Sequence, residues 1–182
     1  VLITVITISC DDDNPQVLDV PSTYSFLRDG QTSVSYAGQA DRLAHLATIK
    51  SLMNDANGGT QIDGQDLLDM YANTNDDGNG LFDFSSSKQL KNKTFAADQT
   101  YFSDLMTAMG TASEAGALNT TASSGTAGLL DRGNSGKKIL VNENGQEFTQ
   151  LIEKGLMGAV FYYQILSTYM TDARVGDGVD NT

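Results

Sequence analysis

The segment "NTNDDGNGLFDF", residues 73–84, spaces its polar side chains as a calcium-binding loop does. Asparagine and aspartate alternate like the first ligands of such a loop, and Gly78 stands where its sharp turn needs glycine. The twelfth position, however, is Phe84, where a bidentate glutamate is required. An ordinary polar turn therefore explains the segment, and Asp77 and Asp83 are the expected ligands if a cation binds.

The other side chains capable of metal or haem chemistry are scattered along the sequence. His45 lies beside the apolar stripe of a predicted helix, which favours a histidine at the core edge or on the surface. Tyr162 and Tyr163 could ligate haem iron, but their apolar surroundings favour packing, with each hydroxyl bonded to a neighbour. Three aspartates near the end of the chain predict a surface loop, with metal binding as the alternative: Asp172, Asp177 and Asp180.

Composition and motifs exclude several classes of function. The chain has 182 residues, one cysteine, one histidine and a formal net charge of -12. A zinc site built from Cys and His needs more of these residues, and the negative charge argues against a nucleic-acid partner. No nucleophile elbow, phosphate-binding loop or zinc-binding helix motif occurs. No catalytic residue is assigned.

Four helices are expected to position these side chains. Apolar residues at spacings of three and four predict them at residues 38–55, 63–72, 95–115 and 145–172. The stripe of the first helix consists of Leu43, Leu46, Ile49 and Met53, and that of the third of Phe95, Phe102, Leu105, Met106 and Met109. Asp63 is the expected N-cap of the second helix.

The segments between these helices carry little strand signal. Residues 23–39 are expected to be irregular with one short extended stretch, residues 116–138 to form a long loop, and residues 139–145 to be a short extended piece. The predicted fold class is therefore all-α, an up-and-down helical bundle.

The last predicted helix carries Gly155 and Gly158, although glycine inside a helix costs roughly 1 kcal/mol relative to alanine. Together with Ala159 they lie on one arc, where small residues would let a neighbouring backbone approach closely. A local bulge, which would mark a functional site, is the alternative. The middle of this helix is apolar all round, which predicts that it is buried on every side and central in the bundle.

The start of the chain predicts a lipid anchor. Residues 1–9 form a mainly apolar stretch. Cys10 follows it directly, and three aspartates come next. Ser9-Cys10 resembles the lipobox of bacterial lipoproteins, in which the cysteine is lipidated, although Thr7 stands where leucine is usual. The alternative is a buried first strand that ends in a turn.

This interpretation divides the chain into three parts and gives it a location. Residues 1–9 are the remnant of a signal peptide, residues 10–22 an acidic tether and residues 23–182 the folded domain. The acidic run resembles the export tags of some Gram-negative surface lipoproteins. That resemblance implies the outer face of the outer membrane, with the periplasmic side as the alternative.

Three segments of the domain resemble a family of bacterial surface lipoproteins that is similar to the imelysins, the insulin-cleaving or iron-regulated membrane protein superfamily. They are "SYAGQADRLAHLATIKSLM", "SKQLKNKTF" and "NGQEFTQLIEKGLMGAVFYYQ". The resemblance covers roughly residues 24–182. It implies a fold of two helical bundles, of which this chain holds the first, so we expect the domain to be incomplete at its C-terminus.

The resemblance also bears on metal chemistry. The metal site proposed for imelysins uses a Gly-x-His-x-x-Glu motif, whereas His45 is followed by Leu46, Ala47 and Thr48. No catalytic residue is carried over, and no cofactor is expected in this part of the protein. Iron or another divalent metal is expected, if anywhere, in the full-length protein.

Function follows from the resemblance as an expectation. It implies a non-catalytic binding role in the acquisition of iron, haem or another metal, with metal, haem or a surface protein as partner and the membrane reached through Cys10. One alternative is a metallopeptidase whose metal site lies beyond Thr182. The other is a structural or adhesive surface protein without metal.

Overall fold

The computed structural model describes residues 25–114 and 119–178. The chain divides into two compact units, Val1–Ser35 and Tyr36–Thr182, each of which is described by itself. The proposed anchor at Cys10, the acidic tether and Asp180 lie outside the described residues.

The described part of the first unit is a small β-hairpin. Strand β1 (Leu27–Arg28) pairs antiparallel with β2 (Gln31–Thr32). The two turn residues, Asp29 and Gly30, have φ angles of 52° and 76°, the left-handed conformations that a two-residue hairpin turn requires. The sequence analysis expected one short extended stretch here, and the Asp-Gly pair produces two.

The second unit combines helices with a second hairpin. Its longer helices are α1 (Ala37–Asn57), α2 (Gly64–Ala72), α3 (Ala96–Ala112) and α4 (Phe148–Gln164), and a short α5 spans Asp172–Val175. Strand β3 (Gly128–Asp131) pairs antiparallel with β4 (Lys138–Val141). Single 3-10 turns occur at Thr74–Asp76, Lys91–Lys93 and Arg132–Asn134.

The predicted fold class, an all-α bundle, is therefore wrong. The described residues form helices and two small antiparallel sheets, a mixed α/β architecture. The error lies mainly at residues 116–138, where glycine and serine suggested one long loop and concealed strand β3, whereas β4 coincides with the short extended piece expected at residues 139–145. Ile139, Leu140 and Val141 of β4 are buried, because this strand covers one end of the helical core.

Asn57, the last residue of α1, joins the hairpin to two helices. Its side-chain oxygen accepts a hydrogen bond from the backbone N–H of Leu140 at 2.9 Å, and its side-chain NH₂ donates to the hydroxyl of Thr149 at 3.0 Å. One side chain thus satisfies polar groups of β4 and α4 that would otherwise remain unpaired near the core.

The first two helices form for the reasons that the sequence indicates. The core face of α1 repeats every three or four residues, at His45, Leu46, Ile49, Met53 and Ala56. The predicted stripe differs at its first member, since Leu43 is 63% exposed. Asp63 caps α2 as expected, because its carboxylate accepts a hydrogen bond from the N–H of Gln65 at 2.8 Å.

Helices α2 and α3 approach so closely that only glycine fits at their crossing. A Cβ atom built on Gly110 would lie 2.4 Å from the backbone nitrogen of Gly64. Most of the predicted apolar stripe of α3 is buried beside this contact, namely Phe102, Leu105, Met106 and Met109, whereas Phe95 immediately precedes the helix and is half-buried.

Helix α4 is shorter than predicted and is buried on one side only. It begins at Phe148, whose ring is buried with Ile152 and Leu156. In its second half Met157 and Phe161 are 45% and 69% exposed, so the expectation of a central helix buried all round is wrong. The apolar arc opposite the core is left uncovered by the other described elements of this unit.

The small residues of α4 have different surroundings. A Cβ atom on Gly155 would lie 2.7 Å from the ring of Phe102 in α3, whereas one on Gly158 would meet nothing within 4 Å. Ala159 is half-buried and packs against the core. The neighbour that approaches Gly155 is thus an aromatic side chain.

None of the described helices combines the length and hydropathy needed to cross a membrane.

Candidate binding groove

A groove with a volume of about 380 Å³ runs between the first half of α1 and the second half of α4. A cavity of this size and apolar character is typical of sites for small ligands. Its walls include Leu43 and Leu46 of α1 and Leu156, Met157 and Phe161 of α4. We call this feature the α1–α4 groove.

Several apolar residues in the walls of the groove are exposed, although Leu46 and Leu156 at its base are buried. Leu43 and Phe161 expose 63% and 69% of their surface, although burying either side chain would gain roughly 1.5–3 kcal/mol. Adjoining exposed apolar residues continue the surface along the chain, at Ile165, Leu166, Tyr169 and Met170. A contiguous apolar surface on a folded domain typically marks an interaction or ligand site.

A change of helix type shapes one end of the groove. After Gln164 the backbone continues as a single π-helical turn, Ile165–Tyr169, a feature that occurs frequently at functional sites. Ile165 and Tyr169 line the groove. The hydroxyl of Tyr169 accepts a hydrogen bond from the side-chain NH₂ of Gln39 at 3.5 Å, which connects the π-turn to the start of α1.

Arg42 is held at the same end by backbone carbonyl groups. Its Nε donates to the carbonyl oxygen of Gln89 at 2.9 Å and its Nη1 to that of Gly38 at 3.0 Å. Burial lowers the pKa of the guanidinium, and the carboxylate of Asp41 opposes that effect. The side chain is thus a fixed, half-buried cation in the lining of the groove.

Lys93 brings a second cation to this region. Its Nζ donates to the hydroxyl of Thr168 at 3.4 Å and lies 5.2 Å from the ring centroid of Tyr163, a cation–π contact. Burial lowers the pKa of its ammonium group, and the positive charge of Arg42 lowers it further, while Tyr169 acts in the opposite direction.

The tyrosines singled out in the sequence lie outside the lining of the groove. Tyr162 is mostly exposed and packs edge-on against Phe95 with the ring centroids 5.8 Å apart, and Tyr163 packs on the same ring at 5.0 Å. The tyrosine that does line the groove is Tyr169.

The calcium candidates lie in a loop that is organised by its own hydrogen bonds. Asp77 is half-buried and its carboxylate accepts from the N–H of Gly80 at 2.9 Å, whereas Asp83 is exposed. The described residues contain no group of three or more His, Cys, Asp or Glu side chains that could hold a metal ion, Asp172 and Asp177 included. A calcium ion at Asp77 and Asp83 stays a prediction.

His45 is buried completely rather than lying at the core edge or surface. Its ring stacks on Phe82 at 4.5 Å and on Phe84 at 5.3 Å, and neither ring nitrogen has a hydrogen-bond partner among the described residues. Burial lowers the pKa of the imidazole, Asp41 raises it, and the positive charge of Arg42 lowers it again. The net direction is downward, so the folded protein favours neutral His45.

We expect this histidine to make the protein less stable at mildly acidic pH. Because the folded pKa lies below the unfolded value of about 6.5, the unfolded chain takes up the proton first. The free energy of unfolding should fall as pH drops through 6.5 toward the folded pKa, by at most about 1.4 kcal/mol per pH unit. Urea unfolding between pH 8 and pH 5.5 measures this slope.

The chain has a single histidine, so no other histidine contributes to this pH dependence. His45→Leu keeps an apolar side chain beside the rings of Phe82 and Phe84 and should flatten the slope in this pH window. An unchanged slope in that variant would assign the acid sensitivity to other groups.

Sequence reasoning missed the residues that define the groove. Leu43 was assigned to the core because its spacing fits the stripe of α1, and Arg42, Lys93 and Tyr169 carried no motif. One signal for the groove was available: α4 has apolar residues on more of its circumference than a helix with a single buried face needs. It was interpreted as all-round burial.

Comparison with known proteins gives one match. A family model described as Domain of unknown function (DUF4856) matches residues 21–182. No curated protein and no solved structure matches the chain.

Proposed function

The chain belongs to the DUF4856 family, and on that premise we propose that it is a non-catalytic binding protein whose ligand site is the α1–α4 groove. The ligand class that we propose is haem, taken up as an iron source. The exposed apolar walls of the groove carry this proposal.

A ligand with a flat apolar body suits these walls better than a bare ion does. Haem offers an apolar macrocycle that could cover side chains such as Leu43 and Phe161, which are otherwise left in water. Tyr169 and Met157 line the groove and are of residue types that ligate haem iron in other proteins. These groups bind and orient a cargo, and no bond-breaking step is assigned to them.

The wider role in this proposal rests on the sequence. Cys10 is the proposed lipid anchor, and the acidic tether that follows it would hold the domain at the outer surface of the outer membrane. Iron or haem acquisition is the role implied by the resemblance to the imelysins, and a groove for an apolar iron carrier is compatible with it.

Haem titration of the purified chain tests the proposal. We expect a saturable change of the Soret band with a dissociation constant of about 1 µM, which corresponds to about 8 kcal/mol of binding free energy. The paired variant Leu43→Gln/Phe161→Gln should weaken binding at least tenfold, since a tenfold loss needs only about 1.4 kcal/mol of lost apolar burial.

Leu130→Gln is the matched control. Leu130 is 43% exposed on β3 and lies outside the lining of the groove, so this variant should bind haem like the original chain. Absence of saturable binding, or equal effects of the control and the paired variant, would contradict the proposal and favour a structural or adhesive role.

A further inference from the structure

One cation lines the α1–α4 groove, and a second, Lys93, lies outside the lining, against the π-turn at one end of it. Arg42 lines the groove and is fixed by the carbonyl oxygens of Gln89 and Gly38. The next residue after Gln89, Leu90, also lines the groove, and the 3-10 turn that follows it carries Lys93. Lys93 Nζ in turn donates to Thr168, the neighbour of the groove residue Tyr169.

Neither cation has a carboxylate partner among the described residues. The ion pairs there are Lys50 with Glu153, Lys154 with Glu153, and Arg132 with Glu147. Asp41, whose charge acts on Arg42, accepts a hydrogen bond of 2.6 Å from the hydroxyl of Ser86 and makes no ion pair with Arg42. The absence is notable because the chain has 23 acidic side chains and only 11 lysines and arginines.

Two unpaired like charges in partly buried positions repel each other, and a fold gains nothing from such a pair by itself. The repulsion acts on Lys93, since the positive charge of Arg42 disfavours its protonated form. An anion that reached both groups would relieve this repulsion and accept charge-assisted hydrogen bonds. The hydrogen bonds that fix Arg42 use two of its five N–H groups and leave the others to reach a ligand.

From this arrangement we infer that the ligand of the groove carries a carboxylate, bound by Arg42 and Lys93, while its apolar body lies against Leu43 and Phe161. The inference rests on the proposed function and narrows the ligand class to apolar molecules with an acidic group. Haem meets this description, because its macrocycle bears two propionate carboxylates. Arg42 and Lys93 would then set the orientation of the ligand along the groove.

Haem and its dimethyl ester separate the two parts of the inference. Both have the same apolar body, but the ester has no carboxylate. In one detergent-containing buffer, haem should bind at least tenfold more tightly than the ester. Lys93→Gln should bring the dissociation constant of haem closer to that of the ester, as expected when the variant and the ester remove the same interaction.

Lys137→Gln is the matched control for charge. Lys137 is exposed between β3 and β4, lies outside the groove and makes no ion pair among the described residues, so its variant should keep the full difference between haem and ester. The melting temperature of each variant checks that the fold is intact.

The outcomes separate this inference from the proposed function. If haem and its ester bind equally tightly, the carboxylate site is refuted while the apolar groove stands as a binding site. The carboxylate site is refuted in the same way if Lys93→Gln weakens both ligands by the same factor. If neither ligand binds, the proposed function fails, and the inference that rests on it fails too.

Discussion

Replacing Asn73 with alanine is expected to lower the free energy of unfolding by about 3–4 kcal/mol. Asn73 is 2% exposed and adopts a left-handed backbone with φ of 50° at the C-terminal end of α2. Its side-chain NH₂ donates to the carbonyl oxygens of Ser86 and Lys88, and its side-chain oxygen accepts from the N–H of Gly78 at 3.0 Å.

The expected loss has two components. Alanine is disfavoured in the left-handed conformation by about 1 kcal/mol. The larger component comes from one N–H and two carbonyl groups that lose their partner, each worth about 1 kcal/mol when such a bond is broken. The loop would then lose the hydrogen bonds through which the side chain of Asn73 joins Gly78 to Ser86 and Lys88.

Asn75→Ala provides the matched control for this prediction. Asn75 also has a left-handed backbone, with φ of 59°, but it is exposed, and among the described residues its side chain bonds only to that of Asn79. Urea unfolding should show a loss of about 1 kcal/mol there. Equal losses in the two variants would mean that the hydrogen bonds of Asn73 contribute nothing beyond its backbone conformation.

Gly110→Ala is the second substitution with a large expected effect, a destabilisation of about 2–3 kcal/mol. The new Cβ atom would lie 2.4 Å from the nitrogen and 2.7 Å from the Cα atom of Gly64. These are backbone atoms of α2, which cannot turn aside as a side chain could. Helices α2 and α3 would have to separate, and this cost outweighs the gain of about 1 kcal/mol in helix propensity.

The same substitution at Gly158 tests the steric explanation. A Cβ atom there meets nothing within 4 Å, so Gly158→Ala should stabilise the protein by about 0.5–1 kcal/mol through helix propensity alone. Thermal and urea unfolding measure both variants. A Gly110→Ala protein as stable as the original would show that the two helices can move apart at little cost.

Much of the local structure was predictable because its causes are local. The apolar spacing in α1 and α3 specifies a helical face within the segment itself, and Asp63 caps α2 by reaching a backbone N–H two residues away. Strand β3 of the second hairpin escaped prediction because a four-residue run carries too little periodicity, whereas its partner β4 matches the extended piece expected at residues 139–145. The stability of the hairpin depends on Asn57, which lies 83 residues before Leu140.

Little of the candidate site was predictable. Residue type and spacing singled out Asp77 and Asp83 as weak calcium candidates and favoured packing for Tyr162 and Tyr163, and none of the four lines the α1–α4 groove. The lipid anchor at Cys10, the outer-membrane location and the kinship with imelysins stay predictions. The groove is defined instead by residues whose importance depends on what lies beside them.

The sequence by itself determined where the main helices form, which side of α1 and α3 is apolar, and where left-handed turns at asparagine and glycine occur. Only the tertiary structure decided that the second half of α4 has an uncovered apolar face, that Arg42 lines the same groove as the π-turn that follows α4, and that Lys93 lies against this π-turn. The physical reason is the sequence distance over which each interaction acts. Helix periodicity and capping act over a few residues, whereas the covering of a face and the placing of two charges beside a groove depend on how distant segments of the chain pack.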